Sequence, residues 1–415
     1  MIGNAHVVAL TEAVHAATEP LEFRNKLFRY LVEEKGFTAI AIESGVVESR
    51  AVYDYVLGNR SDLPATLAQG ITWTFDQLPQ NRELVEWMRD YNAKPGHARK
   101  IRFYGFDLSG SLNAPNPKRG GNVALEESLS YLVRVDAPAA ASLHARLDRF
   151  LPGIRFYARN PADAPVRNAQ GEAIGYERFT QPERDAISGA VGDLVALFSR
   201  NQARYSAAST DQEFAWGYRS ALAARQSDEW LREVPLGWQP AAGMDRAPGF
   251  LSVAADVRDR AQADNIDWIV EQEGSFGKVL VFGARYHLSN APLVTDWFEP
   301  EPRTYGRQAV SGTYLKERFG PGLVTIGNLV GEGKSGCGDF GQVLERAPVG
   351  SLERIAGELG TAPYVLDLRK APTPVARWLQ REQPIGQGGG VLTVAVGKAF
   401  DLLLYIDRVT PACAR

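Results

Sequence analysis

The chain has 415 residues, 45% of them hydrophobic and 23% charged, with 46 Lys and Arg against 49 Asp and Glu and a formal charge of −3. This is the composition of a globular protein with a core to bury, which excludes a disordered or fibrous chain. A near-balanced charge offers no field for nucleic acid or an anionic membrane, so neither is expected as a partner and a small molecule is.

Cys337 and Cys413 are the two cysteines. They allow at most one bridge and have no metal or dithiol spacing. Residues 1–10 carry neither a basic leader nor a long apolar run, and no segment stays apolar for ~18 residues, so a cytoplasmic location is expected.

In chain order, residues 7–10 form a short apolar run, and Thr18 and Pro20 open a helix whose Leu27, Phe28 and Leu31 share a face before Gly36 closes it. Residues 37–42 read as a strand buried on both faces. Helices follow near 46–57 and 82–92, then a strand at 101–106. A long helix over 253–272 leads to a strand at 278–282, with further strands near 323–326, 364–368 and 402–406. Between 122 and 238 no comparable strand series appears, only helical patterns such as Phe214, Tyr218 and Leu222 and a Pro/Gly-rich link over 152–175. The pattern predicts an α/β protein with a mixed or parallel sheet flanked by helices: residues 1–121 as the first part of the core, 122–252 as a mainly helical insert or cap, and 253–415 as the second part. The aromatics of the insert, including Phe156, Tyr157, Tyr176, Trp216, Tyr218 and Trp230, read as core, with a ligand-facing cap as the alternative.

Several strands release an ionisable side chain just past their last apolar residue, at the edge where open α/β sheets bind ligands. Leu10 leads to Glu12 and His15, Ile42 to Glu43, Phe106 to Asp107, and Phe282 to Arg285, Tyr286 and His287. Glu12, His15, Glu43 and His287 are the candidate catalytic residues, because a neutral imidazole takes a proton from water while a carboxylate fixes its tautomer and stabilises the imidazolium. Arg24, Asp107, Arg285 and Tyr286 are the candidate substrate-binding residues, with Arg24 or Arg285 placed to hold an oxyanion. No metal and no cofactor is expected. His6, His97 and His144 read as structural or solvated.

Three motifs are set aside. Gly331-Glu332-Gly333-Lys334-Ser335-Gly336 spells a dinucleotide pattern, but no helix follows to present its N-terminus to pyrophosphate, and a flexible hairpin loop is expected there. Gly333-Lys334-Ser335 lacks the upstream glycine spacing of a phosphate loop, and residues 386–390 lack both the lysine and the helix. There is no Gly-x-Ser-x-Gly elbow either, which argues against the common serine esterase arrangement.

Taken together, the motifs resemble the erythromycin esterase family, also known as succinoglycan biosynthesis proteins. Thr11-Glu12-Ala13-Val14-His15-Ala16 and Arg24 occupy the places of its Gly-Glu-x-x-His-Gly motif and following arginine. Residues 36–43 are similar to its Gly-Phe-x-x-Ile-x-x-Glu strand, and Trp87-Met88-Arg89-Asp90-Tyr91-Asn92 and Gly105-Phe106-Asp107 to its next two segments. Arg258-Asp259, Ala263-Asp264-Asn265, Phe400-Asp401 and Tyr405-Ile406-Asp407 continue the match in order. The resemblance implies the family's fold and a Glu/His site for hydrolysing a lactone, with Glu12, His15, Arg24, Glu43 and His287 in the matching places.

The departures cluster at that site. Thr11 and Ala16 replace both motif glycines, Gln262 stands where a methionine is expected, and the Ala-His-Asn-x-His segment reads Gly283-Ala284-Arg285-Tyr286-His287, so its first histidine has become Ala284. A changed substrate or reaction is the expectation. The leading reading is metal-independent hydrolysis of an ester, lactone or related acyl bond of a small natural product, with His15 oriented by Glu12 or Glu43. The alternatives are a non-hydrolytic tailoring step (cyclisation, elimination or intramolecular acyl transfer) at the same site, and a non-catalytic ligand-binding homologue.

Overall fold

The computed structural model describes residues 1–97, 99–110, 122–154, 175–233, 251–296, 308–336, 341–387 and 390–413. In chain order the strands are β1 (Val7–Glu12), β2 (Ala39–Gly45), β3 (Arg102–Asp107), β4 (Val279–Ala284), β5 (Val294–Thr295), β6 (Leu323–Ser335), β7 (Gln342–Leu344), β8 (Tyr364–Asp367), β9 (Glu382–Gln387), β10 (Gly390–Ala395) and β11 (Leu402–Val409). The main sheet runs β3-β2-β4-β1-β6-β11-β8, with β7 paired to β6, and β5, β10 and β9 form a small antiparallel sheet. The strands from β3 to β11 across the main sheet are parallel, and β8 and β7 close it antiparallel. The fold is mixed α/β, as predicted.

β1, β2 and β4 are buried along their whole length, which is why each reads as a continuous apolar run rather than an alternating one. The helix Thr18–Lys35 returns the chain from β1 to β2, burying Leu21, Arg24, Phe28 and Leu31, and ends at Gly36 in the left-handed conformation (φ 70°). β1 thus lies between β4 and β6, and the rim formed by the C-terminal ends of β1, β4, β2 and β3 is the place for a site.

Between β3 and β4 the described residues are helical: Val123–Val135, Ala137–Leu147, Gln181–Arg200, Gln202–Ala207, Asp211–Arg232 and Leu251–Glu273. Trp216 meets Trp268 edge-on at 5.1 Å and stacks on Tyr104 at 6.1 Å, so aromatic packing joins this layer to β3 through the helix Leu251–Glu273. Tyr176, Trp216 and Trp230 are buried and Tyr218 stacks on Phe198; Phe156 and Tyr157 lie outside the described residues.

The glycine-rich run 331–336 corrects the expected flexible loop. β6 continues through Ser335, nine residues beyond the predicted strand end at 326, and pairs with β7. Its glycines serve close strand approach: a Cβ at Gly333 (φ 136°) would lie 2.2 Å from Val409 O, and one at Gly331 2.5 Å from Asp407 O. Gly386 and Gly390 likewise lie in strands, on β9 and β10, which pair antiparallel. Among the described residues no helix is long and apolar enough to cross a membrane, and Cys413 is disulfide-bonded.

Candidate active site

Glu12 ends β1 and its Oε1 lies 2.7 Å from His15 Nδ1. The side chain of His15 is 28% exposed and its ring leans on Phe75 at 5.4 Å. Burial lowers the His15 pKa, but the Glu12 charge and hydrogen bond, with the charge of Glu43, leave it raised. The turn after His15 is pinned from two distant segments. Ala16, a non-glycine residue at φ 53°, accepts at its carbonyl from Gly336 N (2.9 Å) and Ala412 N (3.0 Å), and Thr18 N donates to Thr410 O (2.8 Å).

His287, after β4, stands between two carboxylates. Its Nδ1 is 2.8 Å from Asp259 Oδ1, its Nε2 is 3.4 Å from Glu43 Oε1, and the side chain is 7% exposed. An imidazole satisfies a carboxylate at each nitrogen only as the doubly protonated imidazolium. Accordingly burial, which lowers its pKa, is outweighed by Asp259 and Glu43, which push it up to about 9 against the opposing charge of Arg258. Glu43 is in turn held well below the usual carboxylate range, burial notwithstanding, by His287, Arg258 and His15. Its Oε2 accepts from Ala284 N at 2.7 Å.

Arg258 completes the cluster, donating to Glu43 Oε1 (2.9 Å) and to both oxygens of Asp107 (2.8 and 2.6 Å), with Trp73 over its guanidinium at 5.2 Å. Asp107 also accepts from Leu108 N, Gln262 Nε2 and Trp73 Nε1. It is wholly buried, and its charge is favoured, despite burial, chiefly by Arg258.

A narrow pocket with room for about one water molecule has Glu12, Glu43, Arg24, Asn81, Phe75 and Phe282 among its lining. Glu12 Oε2 is buried there without a hydrogen-bond partner among the described residues. Arg24 lies over Phe282 at 4.9 Å and donates to Asn25, Asn81 and Gln80 O. Burial lowers its pKa to about 10 against the charge of Glu12.

The structure therefore gathers Glu12, His15, Glu43, His287 and Arg24 around one rim, with Asp107 beneath them. Three substrate-binding expectations change. Asp107 is saturated by five donors and turned inward, so it anchors Arg258 rather than a ligand. Arg285 is wholly buried and points to β6, donating from Nη1 to Asn328 O at 2.6 Å. Tyr286 is buried in the apolar cluster with Leu329 and Leu352, its ring edge-on to His287 at 4.9 Å. Residues 285–288 turn immediately after β4, so neighbours in sequence diverge in space.

Arg258, Asp259 and Trp73 carry the cluster without having been assigned roles from sequence, whereas Gln262, singled out there as a departure at the site, does reach it through Asp107. The available signal was helical: Arg258 and Gln262 stand one turn apart on Leu251–Glu273 and both reach Asp107. Among the described residues no group of three or more His, Cys, Asp or Glu is arranged to hold a metal ion.

The family model described as erythromycin esterase matches residues 32–409. The chain is 23% identical to erythromycin esterase type II of Escherichia coli over 308 residues, 72% of this chain and 64% of that relative's length. It is 20% identical to the putative hydrolase YbfO of Bacillus subtilis (strain 168) over 420 residues, 99% of this chain and 85% of YbfO. Among solved structures, a Bacillus cereus protein superposes with a TM-score of 0.74 at 24% identity, covering 100% of this chain and 91% of that one. A mutant of erythromycin esterase EreC in its open conformation superposes with a TM-score of 0.66 at 16% identity, covering 99% and 92%.

Proposed function

The chain belongs to the erythromycin esterase family, and on that premise we propose that it is an esterase-type hydrolase cleaving an ester or lactone of a small natural product by His15-assisted attack of water. The observation that carries this reading is that Glu12 and Glu43, the carboxylates of two histidine pairs, line one pocket. His15 is the more exposed of the two histidines. It takes a proton from water as the water oxygen attacks the acyl carbon, and returns it to the departing alkoxide. Glu12 holds the ring through Nδ1.

The charges favour that step. Four carboxylates, Glu12, Glu43, Asp107 and Asp259, face three cations, Arg24, Arg258 and the His287 imidazolium, so a neutral His15 leaves the cluster one negative charge in excess. Protonating His15 in the transition state cancels it. His287, bound at both nitrogens, is the fixed positive charge that keeps Glu43 ionised, and Arg24 acts on Glu12 as a fixed charge because four of its five N–H donors are engaged elsewhere.

The test is product analysis in heavy-oxygen water over a panel of esters and lactones, with His15→Ala as control. Hydrolysis places one label in the product acid, and the variant loses on the order of 10² to 10⁴ in kcat with its unfolding midpoint unchanged. An unlabelled isomer or dehydration product would replace hydrolysis with a tailoring reaction at the same site. Full turnover by His15→Ala would overturn the assignment.

A further inference from the structure

Arg285 is among the largest wholly buried side chains of the protein. Among the described residues its guanidinium makes one hydrogen bond, from Nη1 to Asn328 O, while Nε and Nη2 have no partner. Among the described residues no carboxylate lies within ion-pair distance of it. Glu353, on the helix Leu352–Glu358, acts on it through space, and one of its oxygens accepts from Gly386 N at 2.8 Å.

Which donors are unmet matters. Nε–H and one Nη2–H point the same way along one edge of the planar group, the edge that grips a carboxylate with two parallel hydrogen bonds. The same edge of Arg24 shows it in use within this protein, closing on Asn25 Oδ1 from Nε at 3.1 Å and Nη2 at 2.8 Å. On Arg285 the fork is built, charged and held at its third nitrogen, and among the described residues no acceptor meets it. Buried charges are paired and buried donors bonded as a rule, so the arrangement calls for an acceptor bearing negative charge.

We propose that the Nε–Nη2 edge of Arg285 is a buried binding site for a small planar oxyanion of the size of formate or nitrate, separate from the pocket lined by Glu12 and Glu43. Complete burial restricts the ligand to a few atoms, and the fork prefers two oxygens on one centre to a single halide. Because Arg285 N donates to Glu12 O at 2.8 Å, an occupied site also braces the strand end that carries Glu12.

The experiment is thermal unfolding of the whole chain, dialysed into gluconate and titrated with sodium formate, nitrate or chloride at constant ionic strength. The expected result is a saturable rise in the midpoint with formate and nitrate and a much smaller one with chloride. Arg285→Lys, which keeps the charge and loses the fork, is expected to bind at least tenfold more weakly. Glu353→Gln, which retains the acceptor for Gly386 N and removes the opposing charge, is expected to bind more tightly. A wild-type midpoint that does not saturate with either oxyanion overturns the proposal, as does an equal response in Arg285→Lys. Should Arg285→Lys fail to fold, unchanged affinity in Glu353→Gln overturns it alone.

Discussion

Asp259→Asn removes one negative charge from the 2.8 Å hydrogen bond to His287 Nδ1 while leaving an oxygen for Ser311 N, which the same Oδ1 accepts. In the wild type, His287 titrates at about 9 against an ordinary 6.5, a gap equivalent to about 3 kcal/mol of folding stability. A raised histidine pKa contributes fully below pH 6.5, and the contribution disappears as pH climbs through about 9. A hydrogen bond to a charged group is worth ~1.5–3 kcal/mol, or about 1–2 pKa units, so the variant should titrate His287 near 7 to 8. It should be less stable than wild type by that amount at pH 6, with the difference closing towards pH 10. Urea unfolding at five pH values, with the His287 ring proton followed by NMR, reads both quantities. A stability difference independent of pH would refute the imidazolium assignment and with it the charge balance drawn around His15.

Two further substitutions probe the backbone that sets the site. Ala16→Gly relieves a left-handed non-glycine residue at φ 53° and should raise the unfolding free energy by about 1 kcal/mol; a fall measured in urea would show that the Ala16 methyl packs usefully. Gly105→Ala would put a Cβ 2.4 Å from Ser44 O and 2.6 Å from Gly45 O, so β2 and β3 must part. The expected loss is at least 1–3 kcal/mol, together with reduced turnover because Glu43 directly precedes that contact, and an unshifted urea midpoint would contradict it.

The strands that place the site were legible because burial on both faces leaves an uninterrupted apolar run, and Glu12, Glu43 and His287 were legible as the ionisable groups just beyond those runs. Arg285 and Tyr286 follow β4 in the same way, yet a tight turn sends them elsewhere, and period alone does not resolve a turn. Arg258 escaped because its partner Asp107 is 151 positions away, and Trp73 because its role depends on two successive left-handed residues, Trp73 and Thr74, which no composition rule anticipates. The distal half of β6 was read as a loop for a physical reason: glycine marks both flexible turns and strands that must come unusually close.

The hydrogen bonds at Ala16 O bear on how the molecule is made. The segment just after His15 meets Pro411 at Thr18, 393 positions along the chain, and contacts of such separation form late because loop closure must be completed first. During synthesis Glu12 and His15 emerge early, but the carbonyl that fixes the turn waits for Gly336 and then for Ala412. A nascent chain that has β1 to β4 in place therefore carries the proposed base and the carboxylate that orients it without the anchor that fixes their turn, which arrives only with the segment after the final strand.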